Sequence, residues 1–177
     1  MPEIDVLLAV TGGIASFKSA ALTSQLVQQD LTVHVVMTTA AQKFIGQTTF
    51  TALTGRAVST DLFDASMPLG AHIELARNSK VLCVAPATAS FLSTAAQGAA
   101  TDLLSTLYLC FTGPVIVAPA MNVEMWNHAA VQRNVKQLQD DGVHFIEPLE
   151  GWLSCRQKGK GRMADPETIL DSVKKHL

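Results

Sequence analysis

Ile4-Asp5-Val6-Leu7-Leu8-Ala9-Val10-Thr11-Gly12-Gly13-Ile14-Ala15-Ser16 decides the fold. The run from Ile4 to Val10 is apolar except for Asp5, carries branched side chains at intervals, and ends at a threonine and a glycine pair. That is the pattern of a buried parallel strand running into a tight turn. Ser16 to Gln29 is then made of helix formers, with Phe17, Ala20, Ala21, Leu26 and Val27 available for a core face. Thr32 to Met37 is a second strand run. Strand, helix and strand in so short a span make a βαβ unit, expected to be right-handed.

The pattern repeats with variation further along. Val81 to Ala85 and Val115 to Ala118 are continuous apolar runs, each closed by a proline, Pro86 and Pro119. Between them lie a small-residue stretch, Ala87 to Ala100, and a helical one, Asp102 to Phe111. Val131, Val135 and Leu138 recur at helical spacing, and Val143 to Ile146 reads as a last short strand. Asp165-Pro166-Glu167 is a helix start, with Ile169, Leu170, Val173 and Leu177 on one face. Strands alternating with helices predict a doubly wound, Rossmann-like (flavodoxin-like) α/β fold, a parallel sheet with helices on both faces. Residues 1–177 read as one domain, with no linker and no repeat of fixed period. Two stretches exceed a minimal plan. Gln47 to Pro68 is polar and mixed, with room for a small helix and an excursion. Gly151 to Pro166, rich in glycine and basic residues, reads as a long loop, either functional, as a flexible flap over substrate, or disordered.

With 48% hydrophobic and 16% charged residues in 177, the chain is no disordered tail and can build a core without disulfides or metals. Lys+Arg number 13 against 15 Asp+Glu, a net charge of −2, so no global positive field points to nucleic acid. Mean hydropathy is +0.25, but the apolar residues are spread out. No run approaches the roughly 18 apolar residues of a membrane span. The opening Met-Pro-Glu-Ile-Asp lacks the basic segment of a signal peptide. The three cysteines, at 83, 110 and 155, form neither a CxxC pair nor an even framework, which suits a reducing compartment. A cytoplasmic location is expected.

The glycine turn invites two familiar readings, and neither holds. A P-loop needs glycine where Phe17 stands, before Lys18-Ser19. A dinucleotide fingerprint needs three spaced glycines and an acidic residue ending the second strand, where this chain has Met37-Thr38-Thr39. Backbone N–H groups at a helix start, with hydroxyls nearby, still suit one phosphate, so a mononucleotide is favoured over an empty turn. Pro86-Ala87-Thr88-Ala89-Ser90-Phe91 follows another strand, and its small residues allow close approach of a ring or ribityl chain. Asn122, in Pro119-Ala120-Met121-Asn122-Val123-Glu124-Met125-Trp126, lies just past a strand's carboxyl end, where such sheets bind ligands. Its amide can donate to a carboxylate, or its side chain can simply cap a helix. His72 has no histidine at metal-binding spacing, so no metal site is expected. Cys83 and Cys110, in apolar runs, read as buried and inert. Cys155 sits beside Arg156, Lys158, Lys160 and Arg162, which suggests an anion-gripping flap with a reactive thiol, or else a solvated basic loop.

Taken in order, these residues resemble the flavin-dependent cysteine decarboxylase (HFCD) family. The likeness rests on Thr11-Gly12-Gly13-Ile14-Ala15, on His72-Ile73-Glu74-Leu75, on Pro86-Ala87-Thr88-Ala89, on Pro119-Ala120-Met121-Asn122 with Met125-Trp126, and on Cys155 followed by Gly159-Lys160-Gly161-Arg162-Met163. It is nearest to the branch that decarboxylates 4'-phosphopantothenoylcysteine to 4'-phosphopantetheine in coenzyme A synthesis. The resemblance implies FMN held by Gly12, Gly13, Ile14, Thr38, Thr39, Thr88, Ala89, Ser90, Phe91 and Ala120. It implies catalytic roles for His72, Asn122 and Cys155, with Met121, Lys158 and Arg162 also at the substrate. It implies flavin sites built between subunits of a homotrimer, sometimes assembled into a dodecamer. It further implies an upstream phosphopantothenate–cysteine ligase, expected to be a separate enzyme. Chemistry of this kind passes through a thioaldehyde, which supplies the electron sink for CO2 loss, and an enethiol, which Cys155 would protonate. A decarboxylase of peptide C-terminal cysteines, a flavin prenyltransferase and a non-catalytic flavin-binding regulatory subunit are the alternatives. In two places the chain departs from the family's habit. Arg156-Gln157 stand where glycine and an acidic residue usually follow the cysteine, and Ser90-Phe91 stand for Asn-Thr.

Overall fold

The computed structural model describes residues 3–177. In chain order the elements begin with β1 (Ile4–Val10), α1 (Ser16–Gln28), β2 (Val33–Met37), α2 (Gln47–Thr54) and α3 (Ala71–Arg77). They continue with β3 (Ser79–Ala87), α4 (Ala89–Ala96), α5 (Leu103–Cys110), β4 (Val115–Pro119), α6 (Val123–Asn127) and α7 (Ala129–Asp140). The chain closes with β5 (His144–Phe145), β6 (Leu149–Trp152), β7 (Lys158–Arg162) and α8 (Pro166–Lys174). Five strands form a parallel sheet in the order β2-β1-β3-β4-β5, the doubly wound fold expected. Alternation along each strand feeds two cores. Val6, Leu8 and Val10 pack with α1 and α8 on one face, through Leu22, Leu26, Ile169 and Val173. Leu7 and Ala9 pack on the other with α3, α4, α5 and α7, through Leu75, Leu92, Leu107 and Val135.

Four expectations are corrected. The buried side of α1 is Ser16, Ser19, Leu22, Thr23 and Leu26, while Phe17 and Ala21 face outward. Small hydroxyl residues can lie against the sheet because carbonyls satisfy them: Ser19 Oγ donates to Ala85 O at 2.6 Å and Thr23 Oγ1 to Ser19 O at 2.7 Å. Leu177 is 45% exposed beyond the last turn of α8. Cys110 is exposed with Leu109, because the end of α5 emerges into solvent; only Cys83 is the buried thiol expected, and burial pushes it up to about 12. Finally, the flap is no irregular loop. It is an antiparallel hairpin of β6 and β7.

The excursion holds α2 and then returns Ser59 beside β2. There His34, buried on β2, meets Ser59 Oγ through Nε2 at 2.9 Å. Desolvation, with the nearby Arg56 charge, lowers His34 from 6.5 to about 4. The folded protein therefore resists protonating a group that the unfolded chain protonates near 6.5. This stabilisation is full above pH 6.5 and is lost as pH falls toward 4, on the order of 3 kcal/mol. Urea unfolding across that window should show a smaller acid loss for His34→Ala than for wild type. Equal losses would refute the assignment.

Candidate active site at the carboxyl edge of the sheet

The strand order reverses between β1 and β3, so the loops leaving their carboxyl ends part and leave a crevice. Thr11 ties these loops together, its Oγ1 donating to Pro86 O at 2.7 Å and accepting from Thr88 N–H at 3.1 Å. Ser16 Oγ lies 2.6 Å from Gly13 O, which pins the glycine turn at the start of α1. Gly12 must lack a side chain: a β-carbon there would collide with Ala40 in the loop after β2.

Two adjoining hollows open here. One, of about 340 Å³, is lined by Thr11, Gly12, Thr38, Thr39, Ala40 and Thr88 to Phe91, and closes against Thr94, Asp102 and Met125. The other, of about 450 Å³, runs from Gly12, Gly13 and Ile14 past Thr88 and Ala89 to Ala120, Met121 and Asn122. Its far wall is the hairpin, through Trp152, Cys155, Arg162 and Met163. The two share Gly12, Thr88, Ala89 and Met125, so they lie side by side in one cleft. The volumes suit a cofactor beside a small substrate.

Asn122 takes the capping role and also lines the cavity. It is the N-cap of α6, its Oδ1 accepting from Met125 N–H at 2.8 Å. That contact leaves Nδ2, a donor, as the free end of the amide at the cavity. The hairpin docks beside it. Met121 N–H donates to Gly161 O at 3.0 Å, and Gly161, at φ 149°, brings its α-carbon so near Met121 O that no side chain fits. Cys155 is exposed at the hairpin's tip and faces the same cavity as Asn122.

The cationic flap is more committed than its composition suggests. Lys160 Nζ pairs with Glu147 at 2.6 Å and lies 5.9 Å from the Trp126 ring centroid. Lys158 is exposed on β7 and lines neither hollow. Arg162 does line the cavity, with Lys18 beside it. Both approach Asp165, Lys18 at 2.8 Å and Arg162 at 3.8 Å, and the Lys18 hydrogen bond holds that carboxyl below the usual carboxylate range. Two cations around one carboxylate leave an excess positive charge at this end of the cleft. Lys18 was missed from the sequence, although it is the only charged residue in α1.

Residues 1–177, the whole chain, match the Flavoprotein family. The chain belongs to that family. It is 47% identical over 174 residues to the coenzyme A biosynthesis bifunctional protein CoaBC of Bacillus subtilis, covering 98% of this chain and 43% of the relative. The chain thus spans less than half the length of that curated relative. Among solved structures, the FMN-dependent cysteine decarboxylase SpaF superposes with a TM-score of 0.86 at 32% identity, over 98% of this chain and 97% of that one. A cysteine-to-serine mutant of PPC decarboxylase, complexed with pantothenoylaminoethenethiol, gives a TM-score of 0.88 at 29% identity, again over 98% and 97%. The likeness first seen in the motifs therefore extends along the full chain of this flavoprotein.

Two of its expected site residues, Lys158 and His72, stand apart. Phe91 does line the smaller hollow, but it is largely buried, its ring edge-on to Tyr108 at 6.1 Å. His72 lines neither hollow. It sits in the first turn of α3, and its Nδ1 is buried without a hydrogen-bond partner. Among the described residues, no helix is long and apolar enough to cross a membrane.

Proposed function

We propose that this chain carries out the FMN-dependent decarboxylation of 4'-phosphopantothenoylcysteine to 4'-phosphopantetheine. The observation that carries this reading is the meeting of the Asn122 amide and the Cys155 thiol across one cavity beside a glycine- and hydroxyl-lined hollow. The coenzyme A relative and the PPC decarboxylase structure support the choice of substrate. A ligase joining phosphopantothenate to cysteine would supply it.

The residues fit FMN. Gly12 and Gly13 leave the backbone bare for a phosphate, with Thr38 and Thr39 beside them, and the end of β2 has no carboxylate for a dinucleotide's ribose. Asp102 Oδ1 already accepts from Ser105 N–H at 2.8 Å at the start of α5. Its negative charge directs a phosphate away from that wall and toward the glycine turn. Bound FMN would supply a hydride acceptor at the carbon bearing sulfur and return that hydride within the same turnover.

The chain's own groups do the rest. Asn122 donates from Nδ2 to the substrate carboxylate and fixes the bond to be broken, without adding charge. Exposed Ile14, Phe17, Met125 and Trp152 form an apolar lip for the pantoyl methyl groups. The lip keeps water from the carbon that loses CO2. Cys155 protonates that carbon with the S–H proton of its thiol. Arg162, with Lys18, attracts the phosphate, while Lys158 acts only at longer range. His72 completes the site of a neighbouring copy, which would give its unpartnered Nδ1 a contact and cover Phe63 and Leu69, 85% and 63% exposed on the preceding excursion.

One preparation tests this reading. Purified protein should be yellow, with one FMN per chain, and should decarboxylate the phosphorylated substrate in preference to a cysteine-ended peptide. Sedimentation should give a trimer or a multiple of it. Extraction of FAD or NAD, preference for the peptide, or an active 18.9-kDa monomer would each overturn the corresponding part.

A further inference from the structure

The hairpin tip that carries Cys155 closes through two backbone bonds, Arg156 N–H to Leu153 O at 2.9 Å and Leu153 N–H to Gln157 O at 2.8 Å. A short hairpin loop of this kind ends on a residue in the left-handed region, where glycine is favoured. Here that residue is Arg156, at φ 65°. Its β-carbon disfavours the closed turn. Ser154 to Gln157 are all exposed, so burial does little to hold the tip down.

One side-chain contact does. The Gln157 amide meets the carboxylate of Glu124 on α6; with its nitrogen, the donating end, turned inward, it lies 2.8 Å from Oε1 and 3.3 Å from Oε2. Glu124 follows Asn122 by two residues, and Gln157 follows Cys155 by two. The pair therefore joins the helix that Asn122 caps to the turn that presents the thiol. We infer that Glu124 is a positioning residue: through Gln157 it holds the disfavoured Cys155 turn closed over the cavity and so sets the protonation step. What Cys155 does rests on the decarboxylase reading, but the contact does not.

The test uses the purified FMN-loaded protein in three forms, Glu124→Ala, Gln157→Glu and the exchanged pair Glu124→Gln with Gln157→Glu. Hydrogen exchange at the Leu153 and Arg156 amides should quicken about five- to tenfold in the single variants, the size expected for losing an exposed charge-assisted hydrogen bond. The exchanged pair should return to the wild-type rate. Because it restores the contact without restoring the acidic residue in the first turn of α6, it separates the contact from any effect on that helix. In single-turnover assays the single variants should release CO2 normally, yet leave a larger share of product two hydrogens lighter than the saturated thiol. Unchanged exchange in the single variants, or an exchanged pair that fails to recover, would overturn the contact. Faster exchange with unaltered product would overturn its positioning role. If wild type released no CO2 from the phosphorylated substrate, the decarboxylase reading would fall with the positioning role, while the exchange rates alone would still decide the contact.

Discussion

Cys155→Ser should give a protein that releases CO2 once and then stops. The residue is exposed in a short turn closed by backbone bonds, so serine fits without repacking, and stability should move by no more than about 0.5 kcal/mol. The chemistry should change far more. An alcohol is a much weaker acid than a thiol, and loss of a positioned proton donor costs about 10²–10⁴ in rate. In the proposed order, oxidation of the substrate and loss of CO2 precede the proton transfer and should survive for one turnover. The flavin should bleach and stay reduced, while a product two hydrogens lighter than normal accumulates. Mass spectrometry after rapid mixing is the measurement. Normal turnover to saturated thiol would show that Cys155 is part of a lid and no acid.

The fold was legible because its central strands are buried on both faces and announce themselves as continuous apolar runs. Helix faces were harder. In α1 the sheet is met by Ser16, Ser19 and Thr23, whose hydroxyls reach carbonyls that no sequence pattern displays, and the larger Phe17 is left to line the cleft. The hairpin escaped for a related reason. Lys158-Gly159-Lys160-Gly161-Arg162 has no alternating apolar face; it stands as a strand because its glycines allow it to lie against Val123 and Met121. Charge density was misleading there as well, since Lys160 and Arg162 lean on Glu147 and Asp165. The site itself was legible wherever a residue lies just past a strand end, as Gly12, Thr38, Thr88 and Asn122 do. It was illegible for His72, whose motif is clear but whose position outside both hollows depends on how the excursion folds back.

Asn122→Asp should abolish the reaction before CO2 is lost, and its value lies in what it preserves. Aspartate caps a helix about as well as asparagine, so the bond from Met125 N–H survives and α6 stays in place. FMN should remain bound, because the glycine turn and the hydroxyls after β2 and β3 are untouched. Only the free end of the side chain changes, from a donor to a second carboxylate oxygen. Against a substrate carboxylate at about 4 Å, like charges repel by about 4 kcal/mol at the effective dielectric of a partly open site, or roughly 10³ in kcat/KM. No CO2 should appear, the flavin should stay oxidised after substrate is added, and the lighter product expected of Cys155→Ser should be absent. Asn122→Ala is the necessary contrast. It removes the donor without adding a charge, but it also removes the cap, at a cost of about 1 kcal/mol in stability. If repulsion at the carboxylate is the cause, the alanine variant should be the less stable protein and yet the better catalyst. An aspartate variant that turns over within tenfold of wild type would place the substrate carboxylate somewhere other than the Asn122 amide.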